Sequence, residues 1–326
     1  MAVISSVATA TLILGAIFIP PYLSDSYTTP LGNFDKLKEF PLEKYSFKRL
    51  AEYVPTVSSI ILEGVITQED DYTSYLFSYT SQEKKVSGQL NKPKDEGVYP
   101  AIIMLRGFVD PSLYQTGVGT RNAAAVFAEN GYVTVAPDFL GYGESDPPDN
   151  DSFAARVQRP VTVLDLIASV KELDYVDPSK IFIWGHSNGG QIALSVLEIT
   201  GAEYPTTLWA PVTKPFPYSI LYYTDEYDDY GKGLRKALAT FEAIYDVDNY
   251  SIYSYTDEIK APLQFHQGSF DEAVPLEWTS EFVDILKESE KDVSYYVYPG
   301  ADHNLRPDWN TVVQRDLTFF NSFLRE

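Results

Sequence analysis

From about residue 72 to the C-terminus, short unbroken apolar runs alternate with longer stretches of helical periodicity, and few folds accommodate that rhythm. Residues 101–105 (AIIML), 132–136 (YVTVA) and 180–184 (KIFIW) read as strands buried on both faces. The same reading extends to residues 206–210, 262–266 and 293–298. Between them, helical patterns cover 122–130, 161–173 and 190–199, with further helices near 276–288 and 311–324. The first of these closes at Gly131, a good residue just past a helix end. Residues 72–80 and 85–91 alternate as an antiparallel pair ahead of the first buried run. Strands and helices in this order imply βαβ units, hence an α/β fold with a mostly parallel, doubly wound sheet. Right-handed crossovers then gather the strand carboxyl ends along one edge, where ligands bind.

Two segments fall outside the rhythm. Residues 213–260 separate two strands by far more than a βα connection needs, and they are rich in tyrosine. An insertion there suits a cap over a substrate cleft, whereas its acidic run at 225–229 reads as solvated surface. Residues 22–71 read as a polar, irregular lead-in with one helix near 41–53, so the main domain is expected to span 72–326.

Residues 1–21 form an apolar leader. Residues 2–19 carry no charge and end at Pro20-Pro21, just long enough to cross a bilayer as a helix. An uncleaved membrane anchor, a signal peptide lacking its basic n-region, and a buried helix are all compatible with this stretch. An extracytoplasmic location, anchored or secreted, is the expectation.

Composition removes whole classes of chemistry. Forty-six acidic residues against 25 basic ones give a net charge of −21. A phosphate backbone or an anionic lipid surface requires the opposite balance, so no nucleic-acid partner is expected. The absence of cysteine excludes disulfides, thiolate catalysis and cysteine-ligated metals. Only His186, His266 and His303 can supply an imidazole.

The sharpest local signal is Gly185-His186-Ser187-Asn188-Gly189, a G-x-S-x-G placed after a buried strand and opening a helix. That context makes Ser187 the candidate nucleophile of a strand-to-helix elbow. A serine hydroxyl needs a base. His186 should point away from its neighbour, and His266 lies within a strand, where a structural role is expected. His303 lies in a loop after the last strand, on the right edge of the sheet. The carboxylate that orients the base should fall between serine and histidine in the chain. Asp271, in the turn after the strand containing His266, meets that condition; Glu272 is the nearest rival, and Asp302 is too close in sequence to steer the ring. For the developing oxyanion, the backbone N–H groups of Asn188 and Phe108 are the candidate donors, with Gly107 permitting close approach.

Five blocks carry a resemblance to a known family: residues 86–111, 131–146, 176–194, 261–278 and 292–305. In that order they resemble the prolyl-oligopeptidase-like serine hydrolases of the α/β-hydrolase fold. The resemblance covers roughly 72–325 and implies a Ser187–Asp271–His303 triad without cofactor or metal. It implies cleavage of ester, acyl-aminoacyl or short-peptide bonds in small substrates. A lipase-like or polyester-active carboxylesterase and a catalytically silent binding module are the alternatives. Two departures stand out. Family members usually have His-Gly where this chain has Arg106-Gly107, which places a cation near the cleft. The residues before 72 are also too few for the gating β-propeller of prolyl oligopeptidases, leaving any gating to the 213–260 insertion.

Overall fold

The computed structural model describes residues 40–151, 153–224 and 228–324. The expectation for residues 2–19 lies outside them, as do the first three residues, 225–227, of the acidic run. Among the described residues, no helix is long and apolar enough to cross a membrane.

Nine strands form one sheet: β1 (Ile61–Gln68), β2 (Tyr72–Ser81), β3 (Lys84–Pro93), β4 (Tyr99–Leu105), β5 (Val133–Pro137), β6 (Val176–His186), β7 (Thr206–Trp209), β8 (Leu263–Gly268) and β9 (Val293–Tyr298). Their order is β1-β2-β3-β5-β4-β6-β7-β8-β9. The first three and β5 pair antiparallel, and β5 through β9 pair parallel. The described helices are α1 (Phe47–Leu50), α2 (Arg121–Glu129), α3 (Ala154–Val157), α4 (Arg159–Val170), α5 (Asn188–Thr200), α6 (Tyr218–Leu221), α7 (Lys232–Glu242), α8 (Leu276–Glu288) and α9 (Trp309–Ser322). This is the mostly parallel, doubly wound α/β sheet expected of the alternating pattern, and it agrees with the α/β-hydrolase fold that the family resemblance implies.

The unbroken apolar runs are explained by two cores, one on each face of the sheet. Along β4, Ile103 and Leu105 join a core with residues of α4, α5 and α8, while Ile102 and Met104 join another with residues of α2 and α9. Successive strand side chains point to opposite faces. A strand covered on both sides therefore has no polar positions to alternate with.

Residues 61–68 depart from the expected irregular lead-in by forming β1, an edge strand. All eight of its residues are exposed, and its register with β2 slips at two places. With neither face buried, no alternation is imposed on the sequence and the period-two signal disappears.

In the 213–260 segment the aromatics pack chiefly on one another. The Phe241 ring lies 5.4 Å from Phe216, 4.8 Å from Tyr245 and 5.1 Å from Tyr250. Two of these tyrosines also grip the chain at Leu42: Tyr245 Oη accepts from its N–H, and Tyr250 Oη donates to its carbonyl.

The register of the parallel strands places Leu105 beside Gly185, His186 beside Trp209, Trp209 beside His266 and Gly268 beside Tyr298. The loops that leave β4, β6, β8 and β9 consequently share one edge.

Candidate active site

Ser187 occupies the junction between β6 and α5 with φ 56° and ψ −122°. A non-glycine residue in that region is strained, and such strain persists only where the surroundings enforce it. Here the enforcement is steric. A Cβ on Gly189 would lie 2.0 Å from the Leu105 carbonyl oxygen, and one on Gly185 would lie 2.8 Å from Gly190 Cα. The helix is thereby drawn tightly against β4 and β6. The Ser187 N–H donates to the Trp209 carbonyl and its own carbonyl accepts from Val212, fixing the turn on both sides. As the first residue of α5, Asn188 has an N–H with no partner inside the helix, at the positive end of its dipole.

The turn after β4 passes directly over the serine. A Cβ on Gly107 would meet Ser187 Cβ at 2.9 Å and its Oγ at 3.4 Å. Arg106, the cation expected near the cleft, is buried beneath this turn. Its guanidinium donates to the Gly107 carbonyl (2.9 Å) and the Asp138 carbonyl (2.8 Å) and rests against the edge-to-face pair of Tyr114 and Tyr142. The Gly107 carbonyl and the Phe108 N–H belong to one planar peptide. Arg106 therefore fixes the orientation of that amide, while the Phe108 side chain stands exposed.

Asp271 and His303 are brought together across two loops. Asp271 Oδ2 accepts from His303 Nδ1 at 2.8 Å, with the carboxylate side chain fully buried and the imidazole partly exposed. Its Oδ1 accepts from the Ala273 and Val274 amides, and its Oδ2 also accepts from Gln267 Nε2. Burial alone would raise this carboxyl, but the His303 ring, the Val274 amide and Gln267 together outweigh it and hold it below the ordinary range. Glu272 is exposed. Asp302 spends its carboxylate on the Asn304 and Arg306 amides, which shapes the loop bearing His303. Among the described residues the Ser187 hydroxyl makes no hydrogen bond to His303. In hydrolases without substrate such contacts are often long and tighten on binding.

Two supporting residues escaped the sequence. Gln267 donates to Asp271 and the Val274 carbonyl while accepting from Thr279, so it braces the acid loop. His186 does turn away from Ser187, yet it is more than packing. Its Nε2 meets the His303 carbonyl at 3.0 Å, and its ring lies 4.7 Å from that of His303. A carbonyl only accepts, so Nε2 carries the proton. Burial, followed by the neighbouring His303, pulls the His186 pKa down to about 4. His266 is fully buried, bonded to Asp316 and Tyr298. With no access to substrate, that second His–Asp pair holds β8 and β9 to α9.

A cavity opens beside Asn188. Its walls come from α5 (Gln191, Ile192), the insertion (Phe216, Ile220) and the α3–α4 junction (Arg156, Arg159).

Known proteins match this chain over most of its length. The peptidase YtmA of Bacillus subtilis is 24% identical over 247 residues, covering 75% of this chain and 91% of the relative. The acetyl xylan esterase of Paenibacillus sp. R4 superposes with a TM-score of 0.62 at 17% identity, covering 85% and 92% of the two chains. Est1E of Butyrivibrio proteoclasticus, solved with ferulic acid, gives 0.56 at 19% identity over 76% and 99%. At such identities the structural likenesses speak for the fold alone. The family model described as the prolyl oligopeptidase family matches residues 119–326, which include the elbow and both loops. The chain is thus a serine hydrolase of esterase or peptidase type, and it belongs to the prolyl oligopeptidase family.

Proposed function

We propose that the chain cleaves ester, acyl-aminoacyl or short-peptide bonds through an acyl-enzyme on Ser187. The observation that carries this reading is the strained Ser187 on the sheet edge shared with the hydrogen-bonded Asp271–His303 pair. In the first step Ser187 Oγ attacks the carbonyl carbon as His303 Nε2 takes its proton. The bond to the leaving group breaks, and His303 returns that proton to the departing oxygen or nitrogen. In the second step His303 deprotonates a water that attacks the acyl-enzyme, releasing the acid and restoring the Ser187 hydroxyl. Asp271 holds the imidazole in the productive tautomer and stabilises its cation. The amides of Asn188 and Phe108 donate to the oxyanion, each donor of this kind being worth about 3 kcal/mol.

Alcohols leave with less help from a general acid than amines do, so ester turnover is expected even where the natural bond is an amide. The test combines fluorophosphonate labelling with a panel of short and long acyl esters, aminoacyl amides and prolyl amides. Labelling that maps to Ser187 and turnover abolished by Ser187→Ala are the expected results. An unlabelled serine and full turnover by the variant would overturn the reading and favour a silent binding module. The panel separates peptidase from lipase-like esterase.

A further inference from the structure

The cavity beside Asn188 holds two cations with nothing to neutralise them. Arg156 and Arg159 line it three residues apart, and no Asp or Glu contributes to its walls. Among the described residues neither guanidinium forms an ion pair or a hydrogen bond, although Arg159 lies 5.9 Å from the Phe139 ring centroid. This is unexpected in a chain with 46 carboxylates and a net charge of −21. Half-buried charges without partners are costly, and two like charges side by side add repulsion. Burial, then Arg156, with Arg106 also contributing, pulls Arg159 down to about 10, which leaves it charged at neutral pH.

A planar, forked guanidinium pair without protein partners matches a carboxylate, which accepts two parallel N–H bonds. The rest of the wall is largely apolar, from Ile192, Phe216 and Ile220, and suits a short hydrocarbon spacer. Asn188 also lines the cavity, and its amide faces the reacting carbonyl if Ser187 is the nucleophile. We propose that this cavity is the subsite for a carboxylate carried by the substrate, gripped by Arg156 and Arg159 at a short spacer's distance from the scissile bond. The inference rests on the hydrolase reading given above and narrows its substrates to acidic esters or amides.

Matched substrates test it. One pair is the 4-nitrophenyl ester of glutaric acid with its far carboxyl either free or capped as a methyl ester; a second pair places the free or capped carboxyl on the leaving alcohol. The wild-type chain should favour the free acid in at least one pair by roughly ten- to hundredfold in kcat/KM, the range for hydrogen bonds to charged groups. That ratio should collapse toward one in the Arg156→Gln/Arg159→Gln double variant. Arg156→Lys and Arg159→Lys, which keep the charge but lose the fork, should fall between. Because the ratio is taken within each protein, losses common to both substrates cancel. Equal rates for free and capped acids in both pairs, or a preference that survives the double variant, would overturn the proposal.

A binding arm separates this failure from failure of the hydrolase reading. In the Ser187→Ala protein, monomethyl glutarate should raise the melting temperature saturably and dimethyl glutarate should not, and the double variant should abolish the shift. If the wild-type chain cleaves no ester, the hydrolase reading fails and this arm alone decides the subsite. Inorganic phosphate stabilising as well as monomethyl glutarate would mark a general anion site and overturn the proposal.

Discussion

Asp271 Oδ2 accepts a 2.8 Å hydrogen bond from His303 Nδ1 while its Oδ1 is held by two backbone amides. Five positions separate Asp271 from Leu276, where α8 begins, and the carboxylate has no freedom to follow a reoriented imidazole. Asp271→Asn should therefore keep the geometry but favour the wrong tautomer of His303. A loss of about 10⁴-fold in kcat with little change in KM is expected, measured on an activated ester. The acid side follows from the lowered carboxyl. Because the folded value lies below the unfolded one, Asp271 contributes stability above the ordinary carboxylate range and loses it as pH falls through the folded value. Denaturant midpoints of the wild type should fall in that window more steeply than those of Asp271→Asn.

Arg106 should act on rate without touching substrate. It holds the Gly107 carbonyl and so the Phe108 amide, and its cation rests against the rings of two tyrosines. Arg106→Met should lower kcat by roughly 10- to 100-fold, somewhat less than deletion of an oxyanion donor, with KM nearly unchanged. A trifluoromethyl ketone that mimics the tetrahedral adduct should lose affinity in parallel. If KM rose while kcat held, Arg106 would be contributing to ground-state binding instead.

His186 predicts a separate pH dependence. It is held neutral down to about pH 4, against an ordinary value of 6.5. Between those values the unfolded chain binds a proton that the folded chain refuses, so stability rises with pH by at most about 1.4 kcal/mol per unit. That contribution is complete above pH 6.5 and is lost as pH falls toward 4. His186→Gln, which keeps a donor for the His303 carbonyl, should flatten urea midpoints over this window. An unchanged slope would mean that the acid sensitivity arises elsewhere.

Much of the sheet was legible because β4, β5 and β6 are buried on both faces, and burial on both faces writes an uninterrupted apolar run. The helix expected at 276–288 coincides with α8, whose buried Trp278, Phe282, Val283 and Leu286 follow a helical spacing. For β1 the same logic explains the miss, since an edge strand exposed on both sides carries no such record. At the site, chain order and the shortage of histidine singled out Asp271 and His303, which the fold joins 32 positions apart. The bracing residues had no local signature. His186 meets its partner 117 positions away, and only the return of the loop after β9 toward the end of β6 puts them in reach. The direction of Arg106 and the convergence of Arg156 and Arg159 on a cavity wall are likewise properties of side-chain packing, not of spacing.

The helix that follows Ser187 contains a liability that can be removed. Glu198 on α5 is buried at 3% exposure, and both of its carboxyl oxygens lack hydrogen-bond partners. Burial pushes its carboxyl well above the ordinary range, so the folded chain keeps the proton that the unfolded chain gives up. The sign is opposite to that of His186: from the ordinary carboxylate value upward, stability falls as pH rises, until the folded group itself ionises. Glu198→Gln has nearly the same shape and never ionises. It should leave stability at pH 4 little changed and raise it progressively toward pH 8, by up to about 1.4 kcal/mol for each unit removed from the slope. Melting curves of the two proteins across that range check it. The wild-type and variant curves should converge on the acid side and separate on the alkaline side; a constant offset would show that Glu198 is ionised or partnered in the folded chain.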